Sequence, residues 1–108
     1  MDKIHHIAIQ VQDIQRAVEW YKNRFACEVS YQDESWAMLE FDNVKLALVI
    51  PTQHPYHIAF VHAEAANFGE LTTHRDGIAS IYLADSEGNS VEIIDDKTLQ
   101  NKIRTESL

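Results

Sequence analysis

Residues 56–61 read Tyr56-His57-Ile58-Ala59-Phe60-Val61, and residues 5–10 read His5-His6-Ile7-Ala8-Ile9-Gln10. The two share a His-Ile-Ala core at an offset of 51 positions. In the earlier copy Ile7, Ile9 and Val11 alternate with His6, Ala8 and Gln10, which is the pattern of a half-buried strand. A strand that recurs with its flanking pattern marks a repeated module, and that repeat decides the fold.

Working outward from the first copy, Asp13 reads as a helix N-cap. Ile14, Ala17, Val18, Tyr21 and Phe25 then recur at helical spacing, giving a helix of about three turns. Strand patterns follow at about 28–32, 35–42 and 44–50, with a tight turn at Asp42-Asn43. Pro51 to Pro55 ends the run as a linker. After the second copy, residues 63–72 predict a short helix with Phe68 and Leu71 on its apolar side. Ile78 to Ala84 and Ser90 to Ile94 predict two strands around the turn Asp85 to Asn89. The interval from His6 to Ala47 is 41 residues and the matching one from His57 to Glu92 is 35, so Thr72 to Asp76 stands where a whole strand is expected. The expected fold is α+β: two βαβββ-type modules forming a cup of curved mixed sheet, the second truncated. Module one spans 1–52, shortened module two 53–96, and a polar tail, frayed or loosely helical, 97–108, with Asp95-Asp96 read as a solvated end.

Composition narrows the function. The 108 residues carry 9 Lys and Arg against 17 Asp and Glu, a net charge of −8, which speaks against nucleic-acid or anionic-membrane partners. No apolar run approaches the roughly 18 residues that span a bilayer. Lone Cys27 excludes an internal disulfide and fits a cytoplasmic protein. It reads as a small half-buried residue after the helix. Three glycines in all leave no phosphate-cradling loop.

Six histidines in so acidic a chain need an account. By alternation His6 and its repeat counterpart His57 face away from the helix side, and in the last strand Glu92 shares a face with Ser90 and Ile94. If both modules line one cup, His6, His57 and Glu92 point into it. Two imidazoles and one carboxylate are the donor set of a facial triad that leaves metal positions open. Strand histidines are ordinarily capped or solvated; two at equivalent repeat positions with a Glu at a third argue against that here. His5 is expected at an exposed strand start and His54 in the linker, and His62 follows the helix-facing parity of Phe60. Trp20 and Trp36 read as packing or dimer-contact residues.

The chain resembles the vicinal oxygen chelate superfamily, which includes glyoxalases, extradiol dioxygenases, fosfomycin-modifying enzymes and bleomycin-binding proteins. The resemblance rests on His6-Ile7-Ala8-Ile9 before Asp13 and Trp20-Tyr21-Lys22, on His57-Ile58-Ala59-Phe60, and on Ser80-Ile81-Tyr82-Leu83-Ala84-Asp85 through Gly88-Asn89 to Val91-Glu92-Ile93. It implies that His6, His57 and Glu92 bind a divalent cation (iron, manganese, nickel or zinc). It also implies a fourth ligand on the last strand of module one, where this chain has Ala47, so a glyoxalase mechanism is disfavoured. Where the family pattern has glycine after the first helix, Ala26 stands. Gln10 and Arg75 are candidate substrate-binding residues, and Tyr82 and His74 are candidate catalytic acid–base groups.

The expected function is a metal-dependent enzyme on a small oxygen-chelating substrate, closer to a dioxygenase or transferase than to a glyoxalase. The alternative is a metal-free protein that binds or sequesters a small molecule in the bleomycin-resistance manner; a purely structural module has only the fold behind it. Open sheet edges lead to the expectation of a homodimer.

Overall fold

Asp13 caps the first helix as its sequence position implies. Its carboxylate accepts the Arg16 amide at 3.0 Å, satisfying one of the donors a helix start leaves unpaired. In the structure, a computed structural model that describes residues 1–106, β1 (Lys3–Gln10) precedes this helix, α1 (Ile14–Lys22). β2 (Glu28–Gln32), β3 (Trp36–Glu40) and β4 (Lys45–Val49) follow. Next come β5 (His57–His62), one 3-10 turn (Ala65–Phe68), β6 (Thr72–Thr73), β7 (Ala79–Ala84), β8 (Ser90–Asp95) and α2 (Asp96–Glu106). The class is mixed α+β. The chain divides into two compact units: His5–Ile58, and Met1–Ile4 together with the chain from Ala59 onward.

In the first unit the strands lie in the order β1-β4-β3-β2. β1 runs parallel to β4, and the other pairs are antiparallel. α1 covers one face. Ile14 and Val18 pack there on Ala37, Leu39 and Leu48, flanked by Ile9, Val11, Ala17 and Tyr21. Each large aliphatic side chain so buried contributes about 1.5–3 kcal/mol. Ala8, Ala47 and Val49 form a second cluster with Trp36 and Met38. The expected alternation of β1 therefore holds for Ile9 and Val11, but not fully for Ile7, which is 36% exposed. A nine-residue helix is about 13 Å long and does not bring that residue into its cluster.

The end of α1 needs no left-handed residue. Asn23 is right-handed, and the Arg24 and Phe25 amides both reach the Tyr21 carbonyl. Among the described residues only glycines have positive φ, so Ala26 carries no strain. Phe25, expected on the helix's apolar stripe, lies beyond the helix and is half exposed. Cys27 is partly buried against the α1 cluster, as expected.

The second unit orders its strands β5-β8-β7-β6, each strand taking the place of its counterpart in the first. The repeat inferred from two hexapeptides thus extends to the whole strand order. Truncation is also visible: β6 keeps only Thr72 and Thr73, paired with Ser80 and Ala79. In place of a full helix there is the single 3-10 turn, and its buried residue is Ala65. The expected apolar pair does not anchor it: Phe68 is 45% exposed. Gly69 lets the chain pass close to β7, since a Cβ there would meet Ile81 Cδ1 at 2.6 Å.

Of the two expectations for the polar tail, frayed or loosely helical, the structure has the helix: α2 runs from Asp96 to Glu106. Leu99 is its buried anchor, against Ala59 and Ile94. Asp95 is not merely a solvated end, because its carboxylate accepts the Thr98 amide at 3.1 Å and starts the helix. Thr98 in turn accepts the Ala79 amide through Oγ1. No helix among the described residues is long and apolar enough to cross a membrane.

Candidate metal centre

His6 and Ala8 are the two buried residues of β1, and His57 is the buried first residue of β5. Both rings are nearly covered, at 9% and 6% exposure. Their Nε2 atoms face one another at 3.2 Å, with the rings at 77°. His57 Nδ1 donates to the Pro55 carbonyl at 3.0 Å, which holds the ring and leaves Nε2 as the lone-pair nitrogen of the neutral form. His5 is not simply exposed. Its Nδ1 lies 2.8 Å from His6 Nδ1. His54 sits in the linker with its ring centroid 6.1 Å from that of His57.

In the second unit Glu92 is a buried carboxylate, 7% exposed. β7 and β8 pair Tyr82 directly with Glu92 and Ser80 with Ile94, so Ser80 and Tyr82 share the Glu92 side of the ladder. Ser80 Oγ donates to Glu92 Oε2 at 2.8 Å. That hydroxyl is therefore an acceptor toward His74, whose Nε2 donates to it at 2.7 Å. His74 Nε2 itself lies 4.0 Å from Glu92 Oε2. The Tyr82 phenol also hydrogen-bonds Glu92. Burial first, then the Glu92 charge and that hydrogen bond, push Tyr82 well above the usual phenol range. Tyr82 is thus a protonated donor at neutral pH.

The remaining expected site residues divide. Gln10 lies on the His6 face of β1, but its amide nitrogen is engaged by the His54 carbonyl at 3.0 Å. Arg75 is exposed within the turn closed by the Gly77 amide on the His74 carbonyl. Ala47 is buried opposite Ala8 and Met38, so no carboxylate stands at that place. His62, in the second unit, accepts the Glu64 amide at 2.8 Å and lies 3.8 Å from Asp2. Trp20 is exposed beneath the Arg24 guanidinium, 4.3 Å from the ring centroid, and Trp36 stacks on Tyr31 at 4.2 Å.

Two residues escaped the sequence reading. Ser80 stands two residues before Tyr82, and the same strand parity that singled out Tyr82 was the signal for it. The His5-His6 dipeptide carried a signal too, but alternation sends neighbouring strand residues to opposite faces and hid the contact of their rings.

The family model described as "Glyoxalase/Bleomycin resistance protein/Dioxygenase superfamily" matches residues 3–87, so Glu92 lies just beyond the matched segment. No curated protein is similar in sequence. Several solved structures share the fold. A hypothetical protein from Bacillus halodurans C-125 is 18% identical with a TM-score of 0.70, covering 88% of this chain and 94% of that one. Methylmalonyl-CoA epimerase from Streptomyces coelicolor, in complex with 2-nitronate-propionyl-CoA, is 23% identical at a TM-score of 0.69, over 86% and 96%. The Mycobacterium tuberculosis methylmalonyl-CoA epimerase is 13% identical at 0.69, over 86% and 87%.

Proposed function

Since the chain belongs to the glyoxalase/bleomycin resistance protein/dioxygenase superfamily, we propose that it is a divalent-metal-dependent enzyme acting on a small oxygen-chelating substrate. His6, His57 and Glu92 are the proposed ligands, each offering one donor atom. The observation that carries the reading is the pair of buried imidazoles whose Nε2 atoms face each other, one of them oriented by a backbone carbonyl. Neutral imidazole with carboxylate suits iron, manganese, nickel or zinc. Bound there, the ion supplies Lewis acidity toward a pair of substrate oxygens.

The chain's own groups do the rest. Pro55 fixes the His57 ring, and Ser80 aims one oxygen of Glu92 by its hydrogen bond. His74 and Tyr82 both stand beside that carboxylate, so their acid–base work is coupled to it. A protonated Tyr82 donates and does not abstract. With Ala47 supplying no base, dioxygenase- or transferase-like chemistry fits better than a glyoxalase proton shuttle. Gln10 and Arg75 are left as substrate contacts at the edges of the site.

A metal-free small-molecule binding protein is the second reading, and one observation favours it: buried Ala47 leaves no carboxylate ligand at its place in the first unit. Metal content separates the two. Protein purified without chelators or a histidine tag is expected to carry near-stoichiometric metal that a Glu92→Ala variant loses. Native chain that takes up no iron, manganese, nickel or zinc overturns the enzyme reading. We propose also that the chain pairs as a homodimer, because β2 ends its strand order with all five residues exposed. Sedimentation at twice the chain mass supports this, and a single-chain mass at micromolar concentration refutes it.

A further inference from the structure

The two facing histidines belong to a longer run of rings. His5 Nδ1 contacts His6 Nδ1 at 2.8 Å, His6 Nε2 contacts His57 Nε2 at 3.2 Å, and His57 Nδ1 contacts the Pro55 oxygen at 3.0 Å. Each nitrogen–nitrogen contact needs one hydrogen and one lone pair. The carbonyl end sets the direction, because an oxygen of that kind only accepts. His57 therefore carries its hydrogen on Nδ1, and its neutral ring offers a lone pair at Nε2. His6 must then donate from Nε2, which leaves its Nδ1 as an acceptor. His5 must donate from Nδ1. With all three rings neutral, no other assignment satisfies the chain of contacts.

An ion held by His6 and His57 needs lone pairs on both Nε2 atoms. His57 already presents one. His6 does not, and stays neutral only by moving its hydrogen to Nδ1, where it meets His5. His5 must then accept at Nδ1 and carry its own hydrogen on Nε2. We propose that His5 is the positioning residue of the metal centre, and that binding of a divalent cation reverses the His5–His6 hydrogen bond. The hydrogens balance: each ring holds one before and after, so the three histidines release no net proton. The exchange passes through water at His5, whose ring is only partly buried. This inference rests on the metal reading above and says how this chain prepares His6 for it.

The test uses full-length protein with 15N-labelled histidine and Zn2+, whose closed shell leaves the spectrum sharp. Without metal, long-range proton–nitrogen correlations are expected to show hydrogen on Nδ1 of His5, Nε2 of His6 and Nδ1 of His57. At zinc saturation, hydrogen should appear on Nε2 of His5 and Nδ1 of His6, with His57 unchanged. His5→Leu, which removes the ring nitrogens, should weaken zinc binding by about 10- to 100-fold. His5→Asn places an amide where Nδ1 was, able to offer oxygen or NH2, and should restore affinity close to native. Zinc binding with His5 nitrogens unmoved, or with His5→Leu binding as native, overturns this proposal and leaves the metal reading standing. Native chain that binds no zinc overturns both. Should His5→Leu not fold, the native spectra alone decide.

Discussion

Ser80→Ala removes a single oxygen from the second unit. Ser80 is 1% exposed, and its hydroxyl bridges His74 Nε2 and Glu92 Oε2 at 2.7 and 2.8 Å. A hydrogen bond to a charged group contributes about 1.5–3 kcal/mol, and a buried carboxylate left short of donors costs that in full. Tyr82 still donates to Glu92 in the variant, so the lower part of that range applies, about 2 kcal/mol. At roughly 2.1 cal/mol/K of unfolding entropy per residue, this lowers Tm by about 9 °C. Thermal unfolding followed by circular dichroism in metal-free buffer at pH 7 measures it. Tyr82→Phe supplies the second arm. Alone it should cost less, because Tyr82 is 39% exposed. Combined with Ser80→Ala it should cost more than the sum, because both donors serve one carboxylate. A Ser80→Ala melt within 2 °C of native, or strictly additive costs, would refute the claim that Ser80 and Tyr82 jointly sustain a buried charge.

Other outcomes follow from the packing and the caps. Leu48→Ala, at a position with no exposed surface between α1 and its strands, should cost about 3–5 kcal/mol by chemical denaturation; a loss below 1 kcal/mol contradicts the α1 cluster as described. Asp13→Ala removes the α1 cap and should cost about 1 kcal/mol, whereas Asp13→Asn should cost little, both read from the denaturant midpoint. Asp33 accepts hydrogen bonds from the Tyr31 hydroxyl, from the amides of Ser35 and Trp36 and from the Ser35 hydroxyl; the Tyr31 bond is the largest cause holding it well below the usual carboxylate range. A carboxylate depressed in the folded state stabilises above its unfolded value near 4, and that contribution fades as the pH drops below it. Asp33→Asn should therefore flatten the acid limb of a pH–stability curve, and an unchanged limb refutes the assignment.

The sequence carried most of what is local or repeated. Asp13 with Ile14 and Val18 announced α1 through a cap and a 3.6 period, both short-range. The offset between His6 and His57 announced that one module occurs twice, and equivalent strands of the two units do take equivalent neighbours, though the order itself is read only from the structure. What stayed hidden depends on contacts far apart in the chain or on how a side chain turns. α2 is polar along most of its length, and what decides between a frayed tail and a docked helix is Leu99 meeting Ala59 and Ile94 and Thr98 accepting the Ala79 amide. Phe68 looked like the anchor of the second helix, yet four residues of 3-10 turn bury Ala65 instead, and periodicity does not register a helix that short. Ser80 and His5 were hidden for a different reason: a serine and a strand-start histidine are ordinary residues until their partners are known.

The two-residue β6 has a consequence for how such a chain tolerates change in its length. In the order β5-β8-β7-β6 the shortened strand is outermost, with β7 as its one neighbour. Residues lost there unpair one strand edge, whereas loss within β8 would strip partners from two neighbours and take Glu92 with it. Evolution can therefore trim or extend this margin while Glu92 keeps its place in an inner strand. Only the paired Thr72 and Thr73 belong to that margin, since His74, the next residue, already reaches Ser80.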